Sequence, residues 1–202
     1  MKEIVIIDYN IGNVDSVVSA VRYLGHKPLL SNKKNIIENA KKLILPGQGS
    51  FDFGMKRIEE LEILDLIKKK ILKDKVSTLG ICLGMHLFAE FGYENNKKTE
   101  GLSCIKGEVK KIESNLRLPN IGWNENFIIK KDKILEGIKD ESDFYYAHSF
   151  YFNCEEENVI SESIYGNKFP SIIKKDNIYG FQFHPEKSLQ NGLKILNNFI
   201  NI

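Results

Sequence analysis

Apolar positions in the N-terminal half come in short β-branched runs, separated by stretches in which they recur every three or four residues. The runs at residues 3–8, 42–45 and 77–81 read as strands, and the periodic stretches at 14–24 and 61–72 as helices. This alternation is the βαβ pattern, and strands of this composition are buried, parallel and central. After 77–81 comes a turn at 82–84, then an apolar stripe of Met85, Phe88 and Ala89 that suits a helix. From Gly107 onward the pattern changes to short strands between polar turns, at 109–113, 127–130, 142–146, 159–165, 170–174 and 178–183, which predicts an antiparallel portion. The chain closes on 190–200, where Leu193, Leu196, Phe199 and Ile200 recur at helical spacing and would cover one sheet face. The expected fold is α/β, a mostly parallel central sheet flanked by helices with an additional antiparallel portion. With no repeat or linker in view, residues 1–202 are expected to form one domain.

Composition narrows the classes of function. The chain has 202 residues and 42% hydrophobic content, enough for a sizeable core. Its 29 basic and 27 acidic residues leave a net charge of +2 with no long block of either sign, so nucleic acid is not an expected partner. Ile4-Val5-Ile6-Ile7 gives only four apolar positions before Asp8, too few for a signal-peptide core, and no later run approaches a membrane span of about 18 residues. A soluble, cytoplasmic protein without membrane association is expected. Cys82, Cys104 and Cys154 are odd in number, far apart and without metal-ligand spacing. That fits a reducing compartment and predicts neither a metal nor another cofactor.

The chemistry is concentrated in three segments. In Leu79-Gly80-Ile81-Cys82-Leu83-Gly84-Met85 a cysteine lies between two glycines at a strand-to-helix junction, the arrangement of a nucleophile elbow with sulfur in place of oxygen. Side chains flanking so sharp a turn would collide with neighbouring strands, and the following helix would point its N-terminus at the thiol and favour the thiolate. The competing reading is a small buried cysteine in a tight turn. Gly180-Phe181-Gln182-Phe183-His184-Pro185-Glu186-Lys187-Ser188 supplies the proton partner: at a strand end, His184 and Glu186 share a face, so the carboxylate can fix the imidazole tautomer while the other ring nitrogen faces the sulfur. A histidine able to protonate departing ammonia, with an acid behind it, is what acyl transfer through a thioester requires. Leu45-Pro46-Gly47-Gln48-Gly49-Ser50-Phe51 follows a predicted central strand, and its backbone N–H groups, with that of Leu83, could form an oxyanion hole. A phosphate loop is the weaker alternative, because no Lys-Ser or Lys-Thr pair follows and GxGxxG is absent.

Together with Ile7-Asp8-Tyr9, Gly12-Asn13, Gly122-Trp123-Asn124-Glu125 and His148-Ser149, these segments resemble the class I glutamine amidotransferases, more narrowly the glutaminase subunits of imidazole glycerol phosphate synthase in histidine biosynthesis. The likeness spans nearly the whole chain, with Gly-Trp-Asn-Glu and His-Pro-Glu-Lys-Ser the discriminating strings. It implies a flavodoxin-like architecture and a glutaminase in which Cys82 is nucleophile, His184 general acid and base, and Glu186 the orienting acid. Gly47, Gln48 and Gly49 would be the oxyanion strand, and His86, Glu94, His148, Ser149 and Phe150 would hold glutamine. Trp123, Asn124 and Lys187 would lie at the contact with a cyclase-type (β/α)8-barrel subunit, paired with this chain as a heterodimer; ordinary core packing is the alternative for Trp123. His86 stands where this family usually has a glutamine, Asn10 where it has a glycine, and Asn120 where it has a histidine. Two alternatives therefore accompany the reading: a paralogous glutaminase feeding a surface-sugar amidotransferase, and a noncatalytic degenerate subunit.

Overall fold

The computed structural model describes residues 3–94 and 97–202. Its strands, in chain order, are β1 (Ile4–Ile7), β2 (Leu29–Ser31), β3 (Lys42–Leu45), β4 (Ser77–Ile81), β5 (Phe91–Glu94), β6 (Lys97–Glu100), β7 (Gly107–Lys111), β8 (Asn120–Ile128), β9 (Ser142–His148), β10 (Phe150–Cys154), β11 (Val159–Tyr165), β12 (Asn167–Lys175) and β13 (Ile178–Phe181). The α-helices are α1 (Val14–Tyr23), α2 (Lys34–Glu38), α3 (Phe51–Glu60), α4 (Leu64–Lys68), α5 (Leu83–His86) and α6 (Leu189–Asn201).

Nine strands form one sheet in the order β2-β1-β3-β4-β13-β12-β11-β8-β9, and β10-β7-β5-β6 form a second. The block from β2 to β13 pairs in parallel, and from β13 to β9 the pairing is antiparallel. The sheet is thus parallel where the sequence alternates strand and helix, and antiparallel where it reads as short strands and turns.

Alternation along each strand divides the core in two. Val5, Ile7, Leu43 and Leu45 face a cluster with Phe51, Met55 and Ile58 of α3 and Phe152 of the second sheet. Ile4, Ile6, Ile44, Leu79 and Ile81 face the opposite cluster, closed by Val17, Val18 and Val21 of α1 and Ile195, Leu196 and Phe199 of α6. Each such aliphatic side chain stabilises the fold by about 1.5–3 kcal/mol on full burial.

Four differences from the sequence reading have physical causes. The helix expected at 61–72 begins at Leu64, because Glu62 takes a left-handed φ of 53° that ends α3, and its last turn is a π turn, Lys69–Lys73. The helix expected through Phe88 and Ala89 stops at His86: the carbonyls of Leu87, Phe88, Ala89 and Glu90 accept instead from the backbone N–H groups of Leu102, Cys104, Ser103 and Gly101. The strand expected at 127–130 is β8, Asn120–Ile128, paired with β9 from Asn120 to Asn126 and with β11 at Phe127 and Ile128. The glycine-rich loop is followed by α3, whose buried Phe51, Met55 and Ile58 carry helical spacing.

Candidate active site

The elbow is built by two close approaches that only glycine permits. A Cβ on Gly84 would lie 1.8 Å from the Leu45 carbonyl oxygen, and one on Gly80 2.4 Å from the Gly84 oxygen. Between them Cys82 adopts φ 51°, a left-handed conformation that costs a non-glycine residue about 1–3 kcal/mol. The ladder holds it there: Cys82 N–H donates to Phe181 O at 2.7 Å, and the N–H groups of Met85 and His86 donate to Cys82 O at 3.0 and 3.1 Å. With α5 only four residues long, the helix dipole anticipated from the sequence is small.

Strand β13 runs next to β4, with Gly180 opposite Gly80 and Phe181 opposite Ile81. Three residues past Phe181 stands His184, about a hundred residues from Cys82 in sequence. Its backbone is pinned to β9: His184 N–H donates to Tyr145 O at 2.8 Å, and Ser188 Oγ donates to His184 O at 2.7 Å while accepting from Tyr145 N–H at 2.9 Å. This explains the serine of the His-Pro-Glu-Lys-Ser string. His184 Nδ1 is 2.8 Å from Glu186 Oε1, and both side chains are almost completely buried. Nε2 is buried and has no hydrogen-bond partner. Burial alone would discharge this imidazole, but the neighbouring Cys82 and then Glu186 outweigh it and raise its pKa to about 10.

A cavity of about 230 Å³ opens onto Cys82. It is smaller than the ~300 Å³ and above of drug-sized ligands and suits a substrate of amino-acid size. Of the predicted residues, Gln48, Gly49, Leu83, His86, Glu94, His148, Ser149 and Phe150 all line it with Cys82. Gly47 lies just behind, its missing side chain leaving room for Tyr9, whose hydroxyl donates to Pro46 O. Glu94 accepts from Phe51 N–H at 2.6 Å at the start of α3, and burial, opposed by this bond, raises its pKa. His148 is locked at both ring nitrogens, Nδ1 2.8 Å from Phe150 O and Nε2 3.3 Å from Asn120 Nδ2, and burial holds it neutral with a pKa of about 3. His86 is likewise kept neutral by burial, at about 4, and its Nε2 is 2.8 Å from Gln182 Oε1.

Trp123, Asn124 and Lys187 lie outside the cavity. Trp123 is 48% exposed, which rules out the core-packing alternative; its ring meets Tyr145 edge-on at 5.9 Å, and Lys187 Nζ sits 5.8 Å from the Tyr145 ring centre. Asn124 is held by its own bond to Ile164 O at 3.0 Å. The sequence reading missed Pro119 and Ala147 as cavity walls and assigned no part to Gln182 or Tyr145. Gln182 could have been found by strand alternation, since it stands two residues before His184. Tyr145 carried no local signal. Among the described residues there is no cluster of potential metal ligands and no helix long and apolar enough to cross a membrane.

The site thus consists of a cysteine elbow after β4, an acid-supported histidine after the neighbouring β13 and an amino-acid-sized cavity lined by the cysteine. The chain belongs to the class-I glutamine amidotransferases, whose family model, described as "Glutamine amidotransferase class-I", matches residues 5–202. Within that class it is similar to proteins named imidazole glycerol phosphate synthase subunit HisH: HisH 1 of Campylobacter jejuni, 45% identical over 201 residues that cover 98% of this chain and all of the relative, and HisH of Methanocaldococcus jannaschii, 43% identical over 197 residues that cover 98% of each. Its fold matches a crystal structure titled glutamine amidotransferase, with a TM-score of 0.76 at 20% identity, covering 98% of this chain and 97% of that one. It also matches PurLQS from Thermotoga maritima, with a TM-score of 0.74 at 17% identity, covering 100% and 99%.

Proposed function

We propose that this chain is the glutaminase subunit of an imidazole glycerol phosphate synthase, releasing ammonia from glutamine for a cyclase subunit. The reading is supported by one observation above all: the cavity onto which the Cys82 elbow opens is lined by the expected substrate residues, and the His184–Glu186 pair follows the strand β13 that neighbours β4. The Cys82 thiolate attacks the side-chain carbonyl carbon of glutamine, and the developing oxyanion accepts from backbone N–H groups of Leu83 and of the Gly47-Gln48-Gly49 loop. His184 gives its Nε2 proton to the amide nitrogen, the C–N bond breaks and ammonia leaves a glutamyl thioester. His184 then takes a proton from water, whose oxygen displaces the sulfur to give glutamate and restores Cys82. Glu186 holds the ring throughout. Glu94 and the His148-Ser149-Phe150 segment take the amino-acid end of glutamine.

Ammonia in water near neutral pH is mostly protonated and no longer nucleophilic, so it must pass directly to the acceptor. A (β/α)8-barrel cyclase docked over Trp123, Asn124 and Lys187 provides that path, the exposed aromatic ring and the cation over Tyr145 being the kind of anchors that dominate interfaces. A second reading, favoured by His86 and Asn120 in place of the customary glutamine and histidine, keeps the chemistry and changes the acceptor to a sugar-modifying partner.

A glutamine-analogue diazoketone should add to Cys82 and spare Cys104 and Cys154, whose thiols burial pushes up to about 12 and about 11. Cys82→Ala should abolish glutamine-dependent synthesis by the two-subunit complex and leave synthesis from ammonium salts intact. No adduct at Cys82 would support the noncatalytic alternative and end the proposal. Activation by a sugar-modifying partner but not by the cyclase would transfer it to the second reading.

A further inference from the structure

The nucleophile's sulfur sits between two groups of opposite polarity. Ala147 O lies 3.9 Å away and suits a thiol that donates its proton; Gln182 Nε2, also at 3.9 Å, carries N–H groups that suit a thiolate. Gln182 is completely buried, so no solvent decides which end of its amide faces the sulfur. Turned over, the amide would present Oε1, and a second carbonyl-type oxygen against the sulfur would oppose ionisation. With His86 as the neutral Nε2–H tautomer the turned arrangement is blocked: its Nε2, 2.8 Å from Oε1, donates, and a flipped amide would set N–H against N–H. His86 is buried beside it, 6% exposed, and neutrality leaves one ring proton to place.

We propose that Gln182 is a further catalytic residue, donating a hydrogen bond to the Cys82 thiolate, and that His86 is the positioning residue that fixes the direction of that bond. The inference rests on Cys82 being the nucleophile. Other groups face the sulfur: His184 with Glu186 behind it from the turn after β13, Tyr9 from the loop after β1, and His86, His148 and Glu94 from the cavity wall. Of these, His184 supplies charge that titrates. The Gln182 dipole does not titrate, so its loss weakens the anion at every pH at which His184 stays charged. His86 thereby acquires a role different from substrate contact, and the departure from the usual glutamine becomes intelligible: an imidazole or an amide at position 86 can each offer an N–H to Oε1.

The test is the rate of Cys82 alkylation by iodoacetamide, read by mass mapping of the Cys82 peptide, in the whole protein and in four variants. A hydrogen bond to a charged group corresponds to a rate effect of about tenfold. Gln182→Leu should therefore lose about tenfold at pH 7, and its glutaminase kcat should fall with KM nearly unchanged. Gln182→Glu should fall at least as far, a carboxylate repelling the thiolate. His86→Leu should lose several-fold, and His86→Gln should restore most of it. Should Gln182→Leu fail to fold, the His86 pair carries the comparison. A wild-type alkylation rate in Gln182→Leu, or equal rates in His86→Leu and His86→Gln, would overturn the inference. Absence of any diazoketone adduct at Cys82 in the unmodified protein would instead remove the nucleophile reading beneath it.

Discussion

The neutral histidines of the cavity make the fold acid-sensitive, and His86→Gln should relieve half of that sensitivity. Burial depresses the folded pKa of His86 from an ordinary 6.5 to about 4. A depressed histidine contributes full stability above pH 6.5 and loses it as pH falls, because the unfolded chain binds a proton that the folded one refuses. At pH 5 the unfolded imidazole is almost fully charged and the folded one roughly a tenth charged; integrating down from pH 7.5 gives a loss of about 2 kcal/mol. His148, held at about 3, adds a loss of the same order. His184 works the other way: raised to about 10, it stabilises fully below pH 6.5 and loses that contribution as pH climbs through 10. The observable is therefore the difference between wild type and variant. Urea unfolding at pH 7.5 and 5.0 should show the unfolding free energy of His86→Gln falling by about 2 kcal/mol less than wild type, a sizeable share of a typical total of ~5–15 kcal/mol. Identical pH dependence in the two proteins would mean that His86 is charged or solvated in the native state, and the account of the cavity would be wrong.

Two further outcomes follow from geometry. Gly84→Ala places a methyl group 1.8 Å from the Leu45 oxygen, a backbone atom at the end of β3; it should cost at least ~3 kcal/mol in chemical denaturation and abolish glutamine hydrolysis, and near-native values for both would refute the packing argument. Trp123→Ala removes a half-exposed ring, so the unfolding free energy should change by less than about 1 kcal/mol while affinity for the proposed cyclase partner, measured by calorimetry, falls more than tenfold; the reverse pattern would return Trp123 to the core.

The parallel block was legible because buried strands write themselves as unbroken apolar runs: β3 and β4 fall where the sequence placed them, and β1 within a residue. The elbow was legible because its cysteine and both its glycines lie within five residues. What stayed hidden had its cause elsewhere in the chain. Strand β2 is three residues long at the sheet edge, with Leu29 and Leu30 exposed, and leaves no period to read. Strand β8 reads as polar, with Asn124 and Glu125 at its centre, and is a strand because β9 pairs with it for seven residues. The truncation of α5 depends on the segment at 101–104, and the link from His86 to Gln182 crosses ninety-six residues. Local chemistry was in the sequence; the hydrogen bonds that compete for it were in the topology.

The ladder between β4 and β13 also acts as a gauge block. Neighbouring strands stand about 4.8 Å apart by the length of a peptide hydrogen bond, and the sulfur and the imidazole are mounted at the ends of two such neighbours. Their spacing is consequently inherited from backbone dimensions, and the edge strand β9, tied to His184 through Tyr145, is bound to the same gauge.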